Sequence, residues 1–229
     1  MNILIYGDPG VGKTVLAGSA SKAPGMGPVL LIDIEGGTLS LKKDYPQVDI
    51  VRLGSWKDID KVYRDLKKGN HTYRTIVLDS ITEMQKFSML ELMAEVVRED
   101  SDRDPEVPSI REWGKNIEQT RRIVRKFRDL PTNVIFTAHA MYDKDDKRNR
   151  TRILPSLSGK LANEIAGFVD IVGYLYVKVR NKEETRVLLT GGTEDTVAKD
   201  RTDLLPKHVT EPTMEQLMAY FTGEKNAQA

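Results

Sequence analysis

The 229-residue chain contains no cysteine. That excludes a disulfide framework, a thiol nucleophile and any thiolate metal site, and it suits a reducing compartment. Histidine is nearly as scarce: His71, His139 and His208 stand far apart without metal-ligand spacing. No apolar run is long enough for a membrane span, and MNILIYGDPG carries no basic leader, so the expectation is a cytoplasmic protein without a membrane partner. An excess of one charge is missing too. Thirty-five basic residues face 34 acidic ones, which speaks against a chain that binds nucleic acid over its whole surface. Nor is there an internal repeat. With 39% hydrophobic and 30% charged residues, the composition is that of an ordinary globular domain. The expected organisation is one core over residues 1–222 and a flexible tail at 223–229.

What is present is an alternation of short apolar runs and helix-permissive segments. Strands are predicted at 2–6, 28–34, 49–53, 74–79 and 133–138, and helices at 13–20, 57–68, 80–98 and 110–130. An exposed acidic loop is expected at 99–108, and residues 142–152 read as a polar, charge-dense loop. Two later strands, 168–179 and 185–189, flank the polar turn 181–184 as a hairpin, and a helix over 213–221 follows. The pattern predicts an α/β domain: a mostly parallel central sheet flanked by helices, with antiparallel strands toward the C-terminus.

The strongest motif is Gly7-Asp8-Pro9-Gly10-Val11-Gly12-Lys13-Thr14, which fits GxxxxGK[ST] between a predicted strand and a predicted helix. Glycines let backbone N–H groups curl around phosphate oxygens. Lys13 supplies charge, and Thr14 offers a hydroxyl to Mg²⁺ at the helix N-terminus. The expected ligands are therefore ATP and Mg²⁺. Asp79 ends a buried apolar strand, where a carboxylate can hold the metal or simply cap the next helix. Ser80 occupies the position where many phosphate-loop enzymes carry a water-activating glutamate, so Glu35, ending the second strand, is the better candidate base. A turn residue before Gly36-Gly37 is the plainer alternative.

With these motifs in place the chain resembles the ATPase core of the RecA/RadA recombinase superfamily, most closely the small phage-encoded RecA-like ATPases associated with single-strand annealing. The resemblance covers about residues 1–210. It implies that Glu35 in LLIDIEGG is the catalytic glutamate and that Asp79 is the magnesium-associated aspartate. It implies that His139, ending NVIFTAH, is the γ-phosphate sensor leading into a mobile DNA-binding loop, where the family recombinases commonly carry glutamine. Lys199 and Arg201 resemble the family's paired cations that reach a neighbouring subunit's nucleotide, which implies a homo-oligomer. The DNA loop would fall on Lys144, Lys147, Arg148, Arg150 and Arg152, continuing to Lys160. Cations there can track the phosphates of single-stranded DNA without reading sequence. The only aromatic ring near them is Tyr142, at the edge.

The first strand begins at residue 2, with no polymerisation arm ahead of it, so annealing is expected rather than full strand exchange. A single-strand DNA-binding protein is a further possible partner. Two other classes fit the same motifs. One is a small-molecule kinase in which residues 142–152 form a substrate lid. The other is a nucleotide-dependent switch or assembly factor.

Overall fold

A computed structural model describes residues 1–145 and 150–223. Along the chain the elements are β1 (Asn2–Gly7), α1 (Lys13–Gly18), β2 (Val29–Asp33), α2 (Leu41–Asp44), β3 (Asp49–Arg52), α3 (Trp56–Lys67), β4 (Thr75–Asp79), α4 (Ile81–Glu99) and α5 (Ile110–Arg128). They continue with β5 (Asn133–Asp145), β6 (Arg150–Pro155), α6 (Leu161–Phe168), β7 (Ile171–Arg180), β8 (Glu183–Leu189), β9 (Lys199–Asp200), β10 (His208–Thr210) and α7 (Met214–Phe221).

The strands form one sheet in the order β10-β8-β7-β1-β5-β4-β2-β3, with β6 added to β5 and β9 to β7. The six strands from β7 to β3 are parallel, whereas β8 and β10 run antiparallel at one side. This is the predicted α/β architecture with its antiparallel C-terminal hairpin.

The parallel strands read as continuous apolar runs because both sheet faces are covered. Successive side chains point to opposite faces. In β1, Leu4 and Tyr6 join one core while Ile3 and Ile5 join the other. The first core packs under α3, α4, α5 and α6 through Ile59, Met84, Val124, Phe127 and Ile165. The second lies under α1, α2 and α7 through Leu16, Leu41 and Leu217. Each such fully buried side chain contributes about 1.5–3 kcal/mol. Helix starts follow local chemistry: the Ser80 side chain accepts from the Glu83 N–H at 3.3 Å. Ser109 and Glu112 form a reciprocal capping box that launches α5 after the proline-containing segment.

Three elements differ from the sequence-based expectation. The charge-dense stretch after His139 is largely paired: β5 continues to Asp145 and pairs antiparallel with β6, from Ala140 opposite Pro155 to Asp145 opposite Arg150. Its residues are polar because the strands project from the core into solvent, so hydropathy alone does not mark them as strand. Helix α6 is also new. Its eight residues bury Leu161, Ala162, Ile165 and Ala166, a stripe too short to stand out by periodicity. The strand expected from residue 168 begins instead at Ile171, because Phe168 ends α6. Of the tail expected at 223–229, Gly223 is a described turn residue and 224–229 lie outside the described residues. No helix among the described residues is long and apolar enough to cross a membrane.

Candidate nucleotide-binding site

β1 delivers the phosphate loop to the carboxyl edge of the sheet, and the loop turns directly into α1. Gly7 has no room for a side chain: a Cβ there would fall 2.2 Å from the Leu175 carbonyl oxygen on β7. Gly12 has φ 100°, in the left-handed region, as it caps α1. Lys13 is almost completely buried, and its Nζ donates to the carbonyls of Gly7 at 3.1 Å and Asp8 at 2.9 Å. Burial lowers its pKa, while the nearby Glu35, Asp79 and Asp8 carboxylates act in the opposite direction. Cation and loop are thus held together before any phosphate arrives.

β4 brings Asp79 beside α1. The Thr14 hydroxyl donates to Asp79 Oδ2 at 2.7 Å, and the Thr137 hydroxyl on β5 donates to Oδ1. Asp79 is 1% exposed. Desolvation pushes its carboxyl pKa up, and the two hydroxyl hydrogen bonds only partly offset that. A hydroxyl and a buried carboxylate in contact suit a magnesium ion that takes its remaining ligands from phosphate and water. Among the described residues no group of three His, Asp or Glu is arranged as an all-protein metal cage.

Glu35 follows β2, whose Asp33 lies in register with Asp79. The Ile34 and Glu35 N–H groups donate to the Asp79 carbonyl at 2.7 and 3.2 Å, fixing the exit of the strand. Asp33, 2% exposed, accepts from the Gly36 N–H at 2.6 Å and the Thr38 hydroxyl at 3.3 Å and so shapes the turn behind Glu35. His139 sits opposite Gly7 in the β1–β5 register. Its Nε2 lies 3.3 Å from Glu35 Oε1, and its N–H donates to the Thr82 hydroxyl at 3.0 Å. Its Nδ1 is buried without a hydrogen-bond partner. The candidate base and the candidate sensor, 104 residues apart in sequence, are therefore in contact.

Beside the loop opens a cleft of about 310 Å³ bounded by Gly10, Lys13, Thr14, Glu35, Ser40 and Arg186. A second cleft of about 260 Å³ adjoins it, sharing Gly12, Val15 and Arg186 and walled by Tyr45 and Pro212. Arg186 stands at the junction. Its Nε donates to the Val11 carbonyl at 3.2 Å, and its guanidinium lies 3.9 Å from the Glu211 carboxylate. The sequence offers no sign of this role, because one arginine in an exposed hairpin strand looks like a solvated residue. Tyr142 also reaches the loop: its hydroxyl donates to Asp8 Oδ2 at 2.7 Å and lies 3.4 Å from the Tyr174 hydroxyl.

Other residues singled out in the sequence lie elsewhere. Lys199 pairs opposite Val172, whose parallel partner is Leu4. That is three residues, about 10 Å, short of Gly7 along the sheet. Lys199 Nζ donates to the Ala166 carbonyl at 2.5 Å and Arg201 to the Gly167 carbonyl at 2.6 Å, near the end of α6. Burial lowers the Lys199 pKa. Neither cation reaches the phosphate loop of its own chain. Lys144 and Arg152 are exposed on the β5–β6 hairpin, and Lys160 is exposed at the start of α6. Arg150 pairs with Glu194 at 2.5 Å. Lys147 and Arg148 lie outside the described residues.

A phosphate loop at the carboxyl edge of a mostly parallel sheet, with a strand-end carboxylate against its threonine, defines a nucleotide-binding ATPase core of RecA-like fold. The chain belongs to the AAA domain family, whose model matches residues 1–202. Among solved structures it is similar to the flagellar accessory protein FlaH from Methanocaldococcus jannaschii. That match has 13% identity and a TM-score of 0.52, covering 93% of this chain and 87% of that one. It is also similar to a KaiC-like protein from Pyrococcus horikoshii, with 17% identity, a TM-score of 0.47, and 82% and 76% of the two chains covered. No curated protein matches the sequence.

Proposed function

We propose that this ATPase is a magnesium-dependent ATP hydrolase that binds single-stranded DNA and promotes annealing in homologous recombination, as the small phage-encoded ATPases it resembles do. The observation that carries the hydrolase reading is the meeting of Glu35 and His139 at 3.3 Å beside the Thr14–Asp79 pair. In this reading Lys13 exchanges its two carbonyl partners for phosphate oxygens. Thr14 and Asp79 hold the magnesium ion, which neutralises charge on the phosphates when bound. Glu35 takes a proton from the attacking water, and His139 orients the carboxylate and registers the phosphate end. Arg186 supplies a cation from the same chain, and the cleft between Tyr45 and Pro212 seats the base.

The single-strand reading is supported by the position of the basic hairpin. β5 carries His139 at the site and then Lys144, and it pairs antiparallel with β6, which bears Arg150 and Arg152. Tyr142, between them, is bonded to Asp8 of the phosphate loop, so loop and hairpin are mechanically tied. Lys199 and Arg201 act on the nucleotide of a neighbouring copy in an oligomer, and a single-strand DNA-binding protein is a further partner.

The test is ATP turnover with and without single-stranded DNA across a range of protein concentrations. Stimulation by DNA, with activity per chain rising as concentration rises, is the expected result. Phosphate transfer to a small molecule, or nucleotide binding without turnover or DNA response, would overturn the reading in favour of a kinase or a switch.

A further inference from the structure

One opening in the molecule lies outside the nucleotide site. A cleft of about 530 Å³ lies between α4, α5 and the connection from β6 to α6, with walls formed by Met89, Leu90, Trp113, Met141 and Leu157. Its size is that of a pocket for a small organic group, and its mainly apolar lining with a few polar groups is the usual composition of one. Two of the lining side chains are buried amides with unused hydrogen-bonding capacity. Gln85 is 7% exposed and Asn116 is fully buried.

The orientation of both amides follows from their backbone partners. Gln85 Oε1 accepts from the Ser158 N–H at 3.0 Å, which leaves Nε2 as an unpartnered donor. Asn116 Nδ2 donates to the Gln85 carbonyl at 2.8 Å, which leaves Oδ1 as an unpartnered acceptor. An N–H can only donate and a C=O can only accept, so neither amide can be turned around without losing a bond. The two amides thus bring one unpartnered donor and one unpartnered acceptor, both just below the surface, to the lining of a cleft whose apolar wall includes an indole. A flat heteroaromatic ring with adjacent acceptor and donor atoms on its edge complements that set, and a nucleobase is such a ring.

The surroundings favour a base carried on a strand. Lys86 lines the cleft, and Lys160 follows Ser158 by two residues. Met141 pairs opposite Leu154 on the hairpin, and Arg152 is two positions from Leu154, on the same face. Lys86, which is paired with Glu83 at 2.6 Å, thus lines the cleft, and Lys160 and Arg152 lie close along the chain to the segments around it, where a sugar-phosphate backbone would pass. The aromatic ring that the basic segment lacks in sequence is supplied by Trp113 of α5, which is 43% exposed. The cleft also communicates with the nucleotide site, since the Thr82 hydroxyl accepts from the His139 N–H and donates to the Ser156 carbonyl at 3.1 Å.

We propose that this cleft holds a base extruded from a bound single strand, stacked on Trp113 and hydrogen-bonded by Gln85 and Asn116. The proposal rests on the single-strand reading, and its test separates the two. A labelled oligothymidylate and an abasic oligonucleotide of equal length are titrated in the presence of ATP and magnesium, with anisotropy reporting binding and tryptophan fluorescence reporting the cleft. Both strands should bind through their backbones. The thymidylate should bind about tenfold more tightly, as one stacked base does, and should quench fluorescence. Trp113→Ala should bring its affinity down to that of the abasic strand. Trp113→Phe should restore most of the affinity without the quenching.

Equal affinities for the two strands with unchanged fluorescence would overturn the proposal and leave the single-strand reading standing. Anisotropy that stays flat for both strands would overturn both. If Trp113→Ala left DNA binding intact but shifted sedimentation to smaller species, the cleft would be the seat of a second copy of this chain, and the proposal would fall.

Discussion

The two ends of the central sheet hold their cations in opposite ways. At the carboxyl edge, Lys13 is buried among the Glu35, Asp79 and Asp8 carboxylates, and its Nζ donates to two carbonyls of its own loop. Toward the amino edge, Lys199 and Arg201 hold the carbonyls at the end of α6, where positive charge meets the unsatisfied acceptors of a helix terminus. The first arrangement places charges where they cost stability and are available to a ligand. The second ties the cations to carbonyls of their own chain, bonds that action on a neighbouring copy's nucleotide would have to exchange. The two regions thus differ both in burial, Lys13 being buried, Lys199 half-buried and Arg201 exposed, and in the number of carboxylates around the cation.

The comparison is broken most sharply by Lys13→Ala. Removing that charge from the loop should lower ATP affinity by about a hundredfold or more, since it deletes the charged partner of the phosphates, while leaving the thermal midpoint near or above that of the parent. Isothermal calorimetry and a melting curve check the two halves. Arg186→Ala should have a smaller effect, about tenfold in affinity, because the guanidinium is half exposed and stands at the mouth of the cleft. The same calorimetry decides it, and an unchanged affinity would return Arg186 to the role of a hairpin surface residue.

The smallest expected effect bears on stability. Asp79 has a folded pKa above its ordinary value of 3.8 because it is desolvated. The folded protein thus binds this proton more tightly than the unfolded chain, so the group imposes no penalty below the unfolded pKa and an increasing one as pH rises toward the folded pKa. Asp79→Asn should therefore raise the melting temperature of the ligand-free protein at pH 8 by on the order of 2–4 °C, the shift produced by about 1 kcal/mol in a chain of this size. At pH 4 the gain should be much smaller. Melting curves at the two pH values with no magnesium present check it, and a loss of stability at pH 8 would show that the hydroxyl bonds from Thr14 and Thr137 outweigh the desolvation.

Much of the nucleotide site is legible in the sequence because its parts are local or end a strand. Gly7 to Thr14 is contiguous, and Glu35 and Asp79 each follow a buried apolar run, so recognising the strands was enough to bring them to one edge of the sheet. Arg186 and Asp33 were not legible. Arg186 reaches the loop only through antiparallel pairing of β8 beyond β7, and Asp33 is an acidic residue within a run otherwise read as buried strand. The hairpin after His139 reads as a loop in sequence, since its outer part, exposed to solvent, loses the alternation that marks strands. The cleft beside Trp113 depends on four segments far apart in the chain, and no spacing announces it.

The role proposed for Glu35, set against His139, is chemical, in a site built by Lys13, Thr14 and Asp79. ATP binding and steady-state hydrolysis measured side by side on Glu35→Gln test it most directly. An amide of the same shape keeps the turn held by Asp33 but cannot take a proton from water. The account predicts ATP affinity within about threefold of the parent and turnover lowered by roughly a hundredfold or more. Turnover at the parental rate with intact binding would contradict it, and the base would have to be sought elsewhere.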